Sequence, residues 1–396
     1  MDKRLTKNKW NHWSVKVITF YVLISLFAPL ISNDLPLLRI YKGEWTFPFL
    51  HPGKAYNFSN DKLEGAFEIN ALFRYSSGKS DPLNMSFRGP FDKQSAFDSN
   101  GNLIEIPLGD RHWLGTNLLG SDLWADIIYG TRISVFISFC ATLIASLIAL
   151  TLGFFAGWLG PGSIKVSLLK TVLFFGVLIF WIHLLINIKE ISDRCIGWGV
   201  SVFVFILVLK FLLKKPALFL TKWKIFLPVD VLFIRVSELF STIPRVILVL
   251  AFVQFFSSSI TSMIFMLALS AWVDLARMVR SELHSIKSKN YIDAAVMSGV
   301  VGMRLLFLQM LPNIWPTVIV YMLYTFAGNI SIEAGLSFLG FGLPATVKSL
   351  GGLIAEGKNN FEAWWMIVFP GIWLSMLIYA MFSLSDRLRL FQFDKK

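Results

Sequence analysis

Tyr291-Ile292-Asp293-Ala294-Ala295-Val296-Met297-Ser298-Gly299, continuing through Met303-Arg304-Leu305-Leu306-Phe307 to Leu311-Pro312, is a short stretch set between two long apolar runs, Ile260 to Val279 and Trp315 to Ile332. Its pattern predicts two short helices around a glycine. Asp293 falls near a helix start, where the helix dipole favours a carboxylate, and the small Ala294 and Ala295 permit close approach of another chain. Gly299 can take the left-handed turn between the helices. Pro312 cannot continue a helix interior but suits the start of the next apolar run. A plain amphipathic connector would carry similar residues, so the runs around this stretch decide what it connects.

Those runs are long. Only a hydrogen-bonded helix satisfies its own backbone in lipid, so apolar stretches of about 17 to 28 residues read as spans. Eight are found: Val15 to Ile31, Ile133 to Gly157, Val166 to Ile188, Ile196 to Leu213, Val229 to Phe256, Ile260 to Val279, Trp315 to Ile332 and Ala363 to Leu384. The whole composition agrees, with 55% hydrophobic and 16% charged residues in 396 and a mean hydropathy of +0.62, too apolar for an ordinary soluble chain. Trp10, Trp13, Trp158, Trp223, Trp364 and Trp365 sit near run ends, where indole rings rest at the headgroup level. The expected fold class is an all-α polytopic membrane protein.

Charge sets the orientation. With the N-terminus in the cytoplasm, Lys3 to Lys9, then Lys210 to Lys224, then Arg277 to Arg304, then Arg387 to Lys396 all fall inside, while basic residues outside are offset by Glu190, Asp193, Glu333, Glu356 and Glu362. Both termini are then cytoplasmic. The net charge of +12 follows from this topology; the basic residues form short clusters between runs, not the single stripe that nucleic acid requires. Val15 to Ile31 follows Lys3, Arg4, Lys7 and Lys9 as in a signal peptide, but it is long enough to span, and Ile31-Ser32-Asn33-Asp34 lacks a small-x-small cleavage pattern, which predicts an uncleaved anchor. Cys140 and Cys195 are the only cysteines, with no metal-ligand spacing. No catalytic motif is legible: the five histidines are scattered, and Gly78-Lys79-Ser80 lacks the first glycine of a nucleotide-binding loop. The charged pairs Arg235/Glu238 and Asp274/Arg277 are spaced to lie on one helix face each, which predicts local ion pairs at the membrane edge.

Three stretches together resemble a known family. Asp293-Ala294-Ala295, Gly299 and Leu311-Pro312 stand at the spacing of the loop by which permease subunits of ATP-binding-cassette importers dock on their ATPase, with Asp293 in place of Glu and Gln309 in place of Ile. His112-Trp113-Leu114-Gly115-Thr116-Asn117-Leu118-Leu119-Gly120-Ser121-Asp122, followed by Tyr129-Gly130-Thr131-Arg132, resembles the lead into the second span of dipeptide and oligopeptide permeases, Asn117 standing where that family usually has Asp. Glu333-Ala334-Gly335-Leu336-Ser337-Phe338-Leu339-Gly340-Phe341-Gly342 with Ser349-Leu350-Gly351 is similar to the same family's outer loop. Within it the likeness runs furthest toward the Yej-type permeases, on Ser32-Asn33-Asp34-Leu35-Pro36-Leu37-Leu38, Trp45-Thr46-Phe47-Pro48 and Gly357-Lys358-Asn359-Asn360.

The resemblance implies an importer-type permease of the bacterial inner membrane that moves oligopeptides or peptide-like compounds into the cytoplasm. It implies four kinds of partner: a second, homologous permease, two ATPase domains that bind the ATP, an extracytoplasmic substrate-binding protein, and membrane lipid. No cofactor belongs to the chain itself, and it should not hydrolyse ATP. The coupling residues implied are Tyr291, Asp293, Ala294, Ala295, Gly299, Leu311 and Pro312. The expected organisation is a cytoplasmic N-terminus and first span (1–32), an extracytoplasmic segment (33–131), a second span (132–159), an inserted span pair absent from the family (160–228), and a permease core (229–396) whose coupling loop covers 280–312. An ion-coupled secondary transporter would need acidic groups at mid-membrane, broken helices or internal repeats; a membrane enzyme or sensor would need a converging cluster of reactive side chains in the outer segment.

Overall fold

The computed structural model describes residues 13–41, 44–48, 67–97, 102–107, 111–159, 164–167, 224–227, 229–256 and 258–393. Within them nine helices carry the fold: α1 (Trp13–Ile31), α2 (Leu123–Leu159), α3 (Val229–Thr242), α4 (Arg245–Val253), α5 (Ile260–Lys287), α6 (Asn290–Met297), α7 (Leu311–Phe338), α8 (Leu350–Gly357) and α9 (Trp365–Phe393). Five helical stretches, Trp13–Ile31, Leu123–Leu159, Ile260–Lys287, Met303–Phe338 and Trp365–Leu390, are long and apolar enough to cross a bilayer, and α3–α4 taken as one broken span makes a sixth. Of the expected span Val166 to Ile188, the first two residues lie in a short strand, Ile164–Ser167; the rest of it and the expected span Ile196 to Leu213 lie outside the described residues.

Four expectations need correction. Val229 to Phe256 is not one straight helix: α3 and α4 meet at an 82° bend, where Pro244, extended at φ −52° and ψ 131°, precedes α4. Proline offers no N–H to the preceding turn and its ring clashes with that turn, so an apolar run alone conceals the break. Helix α2 starts at Leu123, well before the apolar run, because Asp122 Oδ1 accepts the Ala125 N–H at 2.7 Å and caps it; residues 123–131 are therefore the first turns of α2. Helix α5 runs past Val279 to Lys287, so the loop begins later than residue 280. Helix α7 runs to Phe338, which places Glu333 inside it, fully buried, instead of in an outer loop.

Small residues set the packing. Along α2, Ala141, Ala145, Ala149, Gly153 and Gly157 recur every fourth residue or so and are buried, which lets the backbone of α5 approach closely. A Cβ on Gly153 would stand 2.4 Å from the Ala276 carbonyl oxygen, and one on Gly157 would stand 3.0 Å from Leu283. Helices α2 and α5 therefore run parallel. Helix α7 runs antiparallel to α2: Ser134 Oγ donates to Glu333 Oε2 at 2.8 Å, and Asn329 Nδ2 to Thr142 Oγ1 at 2.9 Å. Helix α9 runs antiparallel to α1, with Trp13 stacked on Tyr379 at 5.3 Å and the Tyr21 hydroxyl donating to the Trp373 carbonyl at 2.7 Å.

These directions give the bundle two unlike ends. One carries the segment between α1 and α2, together with α8. It holds the small sheet β2-β1-β3, built from β1 (Leu38–Tyr41), β2 (Glu44–Thr46) and β3 (Phe67–Ile69), and the antiparallel pair β4 (Ser95–Phe97) and β5 (Leu103–Glu105). The other carries the start of α1, the ends of α2 and α5, the start of α3, helix α6 and the end of α9. Strands β6 (Ile164–Ser167) and β7 (Lys224–Leu227) pair antiparallel, Ile164 opposite Leu227 and Ser167 opposite Lys224.

Candidate functional site

At the second end, α6 projects beyond the spans. Asp293 lies in its first turn, where the partial positive charge of the helix N-terminus favours it. Ile292 is the buried anchor, 4% exposed, joining Ile286, Leu305, Leu306 and Met310 in the main core, with Ala295 and Val300 packed against them. Met297 is 87% exposed, and Tyr291, Ala294 and Met297, three residues apart, share one outward face with Asp293 and Val296 beside it.

The helix ends as its sequence prescribes. Gly299 has φ +82°; its N–H donates to the Val296 carbonyl at 2.9 Å, and the Val300 N–H to the Ala295 carbonyl at 3.0 Å. This double bond pattern is the left-handed helix stop that favours glycine. Nothing lies within 4 Å of where a Gly299 side chain would begin, so the backbone conformation alone selects the residue. Gly302 also has a positive φ, +64° with ψ −141°, but at the N-terminal cap of the turn that follows. Beyond it, the turn Met303–Leu305 does not stand as a second short helix: it runs through a π-helical turn, Leu306–Met310, into α7. The Leu311 N–H reaches back five residues to Leu306 O. Such a widened turn accommodates Pro312, which has no N–H to give.

The base of the loop is pinned. Lys287 Nζ donates to the Gly157 and Trp158 carbonyls at 2.7 and 2.6 Å, capping the unsatisfied end of α2 with a cation. Arg280 grips Asp230 with both arms, Nη2 to Oδ2 at 2.7 Å and Nε to Oδ1, tying α5 to the start of α3. Of the residues the sequence pointed to, Tyr291, Asp293, Ala294 and Gly299 form one exposed surface, Ala295 is half-buried beneath it, and Leu311 and Pro312 lie apart in the first turn of α7, where they set the helix's departure. The pairs Arg235/Glu238 and Asp274/Arg277 are exposed ion pairs at 3.0 and 2.6 Å.

The first end is held by buried polar groups, several of them within the stretch His112 to Asp122, whose partners the sequence reading did not name. His112 is buried, its Nδ1 2.9 Å from Asp122 Oδ2 and its Nε2 3.4 Å from Asp81 Oδ2, and its backbone exchanges hydrogen bonds with the Gln94 side chain. Burial pulls the His112 imidazole down, but bonding and charge from Asp122 and Asp81 together outweigh it and hold its pKa above the ordinary 6.5. For Asp81, burial acts upward, yet His112, Asn84 and the Leu83 N–H together leave it below 3.8. Asn117 Oδ1 accepts the Leu119 and Ser121 N–H groups, and its Nδ2 donates to Glu356 Oε2 at 3.1 Å; an aspartate here would set one carboxylate against another. Trp365 Nε1 donates to the Thr116 carbonyl at 3.3 Å. The loop of Gly115, Asn117 and Gly120 is thus fastened to α8 and α9. Beside it opens a cavity of about 830 Å³, its lining including Glu68, Arg74, Arg111, Trp113 and Trp124.

Residues 149–389 match the family described as binding-protein-dependent transport system inner membrane component. Among curated relatives, the chain is 24% identical to the peptidoglycan transport system permease protein YejE of Agrobacterium fabrum, over 96% of this chain and 89% of that one. It is 24% identical to the inner membrane ABC transporter permease protein YejE of Escherichia coli, over 98% and 94%. It is 28% identical to the oligopeptide transport system permease protein OppC of Mycobacterium bovis, over 74% and 79%.

Proposed function

Since this chain belongs to the family of inner-membrane components of binding-protein-dependent transport systems, we propose that its exposed helix Asn290–Met297 is the surface by which a cytoplasmic ATPase drives it. The chain is a permease subunit of an ATP-binding-cassette importer, and its cargo is an oligopeptide or a peptide-like compound, the class named in its relatives. The observation that carries the reading is the projecting α6, an apolar outward face stopped at Gly299 and braced on α2 through Lys287.

In this reading the end bearing α6 and both chain termini faces the cytoplasm. The clustering of basic residues there supports it, since positive charge stays on the cytoplasmic side. Tyr291, Asp293, Ala294, Ala295 and Gly299 form the docking element, and Leu311 and Pro312 pass its displacement into α7. The opposite end, with its cavity, receives the binding protein. The chain hydrolyses no ATP; two ATPase domains do so, and a second permease completes the pore. ATPase closure can move the spans only if the two ATPase states contact α6 differently, because equal affinity for both states shifts nothing.

The test is uptake by the purified complex in proteoliposomes with no ion gradient. It should run on internal ATP and stop when Met297→Asp charges the outward face. Uptake that instead followed an imposed proton or sodium gradient would overturn the reading.

A further inference from the structure

The α3–α4 bend exposes polar groups at an unusual depth. Arg245, first residue of α4, donates from Nε to Ser270 Oγ at 3.1 Å, from Nη2 to the Leu267 carbonyl at 3.4 Å, and from Nη2 to Asn329 Oδ1. Asn329 is fully buried and donates onward to Thr142. Ser270 stands ten residues from Ile260 and ten from Arg280, about 15 Å either way along α5. Thr142 lies at the middle of α2. Arg245 is therefore at mid-depth of the bundle.

Its environment does not neutralise it. All three acceptors are uncharged, and Nη1 has no hydrogen-bond partner among the described residues. Asp274 acts on it through space but holds Arg277 at 2.6 Å on an exposed surface. A guanidinium at the membrane centre is costly unless it meets a counter-charge or water. The backbone of the bend is equally demanding: Thr242, Ile243 and Pro244 are exposed, and non-helical backbone at this depth is tolerated only against protein or a water-filled cavity. The exposed ion pairs Arg235/Glu238 and Asp274/Arg277 lie on the neighbouring helices α3 and α5. Lipid fits this face poorly.

We propose that the bend between Thr242 and Arg245 lines a water-filled path at mid-depth, and that Arg245 receives an oxyanion of the passing cargo there. A carboxylate, such as the C-terminus of a peptide, is the class that suits a planar guanidinium with a free edge. This rests on the importer reading, which supplies the cargo; the electrostatics of the path can be tested without it.

The complete transporter complex in proteoliposomes would carry Cys140→Ala and Cys195→Ala and a single reporter, Ile243→Cys. Its labelling rates with an anionic sulfonatoethyl and a cationic trimethylammonioethyl methanethiosulfonate would be measured, and their ratio divided by that for a free thiol. The corrected ratio should favour the anion at least about fivefold, as expected for a cation within several ångströms of the reporter. Arg245→Lys should keep most of this preference, whereas Arg245→Gln should bring the ratio to about one. Asn329→Asp, which leaves the arginine but supplies a carboxylate, should do the same, so the result does not hang on one variant's assembly. A reporter that neither reagent reaches, or a ratio unmoved by both Arg245→Gln and Asn329→Asp, would sink the proposal. Loss of ATP-driven uptake with the charge preference intact would count against the importer reading, not against this role of Arg245.

Discussion

Replacing Gly299 by valine isolates what the helix stop contributes. At φ +82°, with nothing within 4 Å of the added side chain, the substitution meets no neighbour and strains only its own backbone. The left-handed conformation costs an L-residue roughly 1–2 kcal/mol, with a β-branched residue at the upper end. At about 2 kcal/mol the ratio of the native stop to its alternatives falls about thirtyfold relative to the glycine protein, since each 1.4 kcal/mol is about tenfold. If only the native stop presents α6 correctly, apparent affinity for the ATPase falls by up to that factor. Affinity can be read by titrating the purified ATPase onto the permease in nanodiscs, with thermal unfolding of the permease as control. Gly299→Asn should bind nearly as wild type, because asparagine visits this region readily; Gly299→Ala should lie between. The ranking Gly, Asn, Ala, Val is the signature of a backbone cause. Equal binding by the valine variant, or a defect as large in the asparagine variant, would refute it.

Other perturbations probe the rest of the bundle. Because the His112 pKa is raised on folding, its stabilising contribution is full below 6.5 and is lost as pH climbs through the raised value; limited proteolysis of the 77–122 loop should therefore quicken from pH 6 to 9, and His112→Gln should flatten that slope. Protection that grew with pH would contradict the assignment. The lowered Asp81 pKa contributes above 3.8 and is lost only as pH falls through the lowered value, so it should not bend this profile. Gly153→Val would drive a side chain into the Ala276 carbonyl, 2.4 Å from its Cβ; parting α2 from α5 should cost about 1–3 kcal/mol, seen as a lower melting temperature, whereas a melt unchanged from wild type would show that the helices can slide apart freely. Asn117→Asp would face the Glu356 carboxylate and should loosen the outer loop, read as faster proteolysis there that salt partly reverses.

Apolar length was legible wherever a run crosses without interruption, as in α1, α5, α7 and α9, because lipid leaves the backbone no alternative to a helix. The boundaries were not. Asp126 and Arg132 interrupt the hydropathy of α2 while the Asp122 cap and buried hydrogen bonds carry the helix through them, and Glu333 reads as a loop residue until Ser134 and Ser337 are seen to satisfy it at 2.8 and 2.9 Å. The Pro244 break was hidden by the apolar residues on either side of it, although Ile243-Pro244-Arg245 carried the signal. The short helix Asn290–Met297 and its stop were visible at Asp293 and Gly299 because local rules of helix start and stop act within a few residues. The clasp around His112 and the network around Arg245 join residues far apart in the chain, and no local rule reports such meetings.

The strand pair Ile164–Ser167 and Lys224–Leu227 gives the chain a natural splice point. Paired strands run about 5 Å apart, so Ser167 and Lys224 stand within reach of a two-residue turn. Whatever residues 168–223 contribute can be excised and the gap closed with Asn-Gly, without asking α2 or α3 to move.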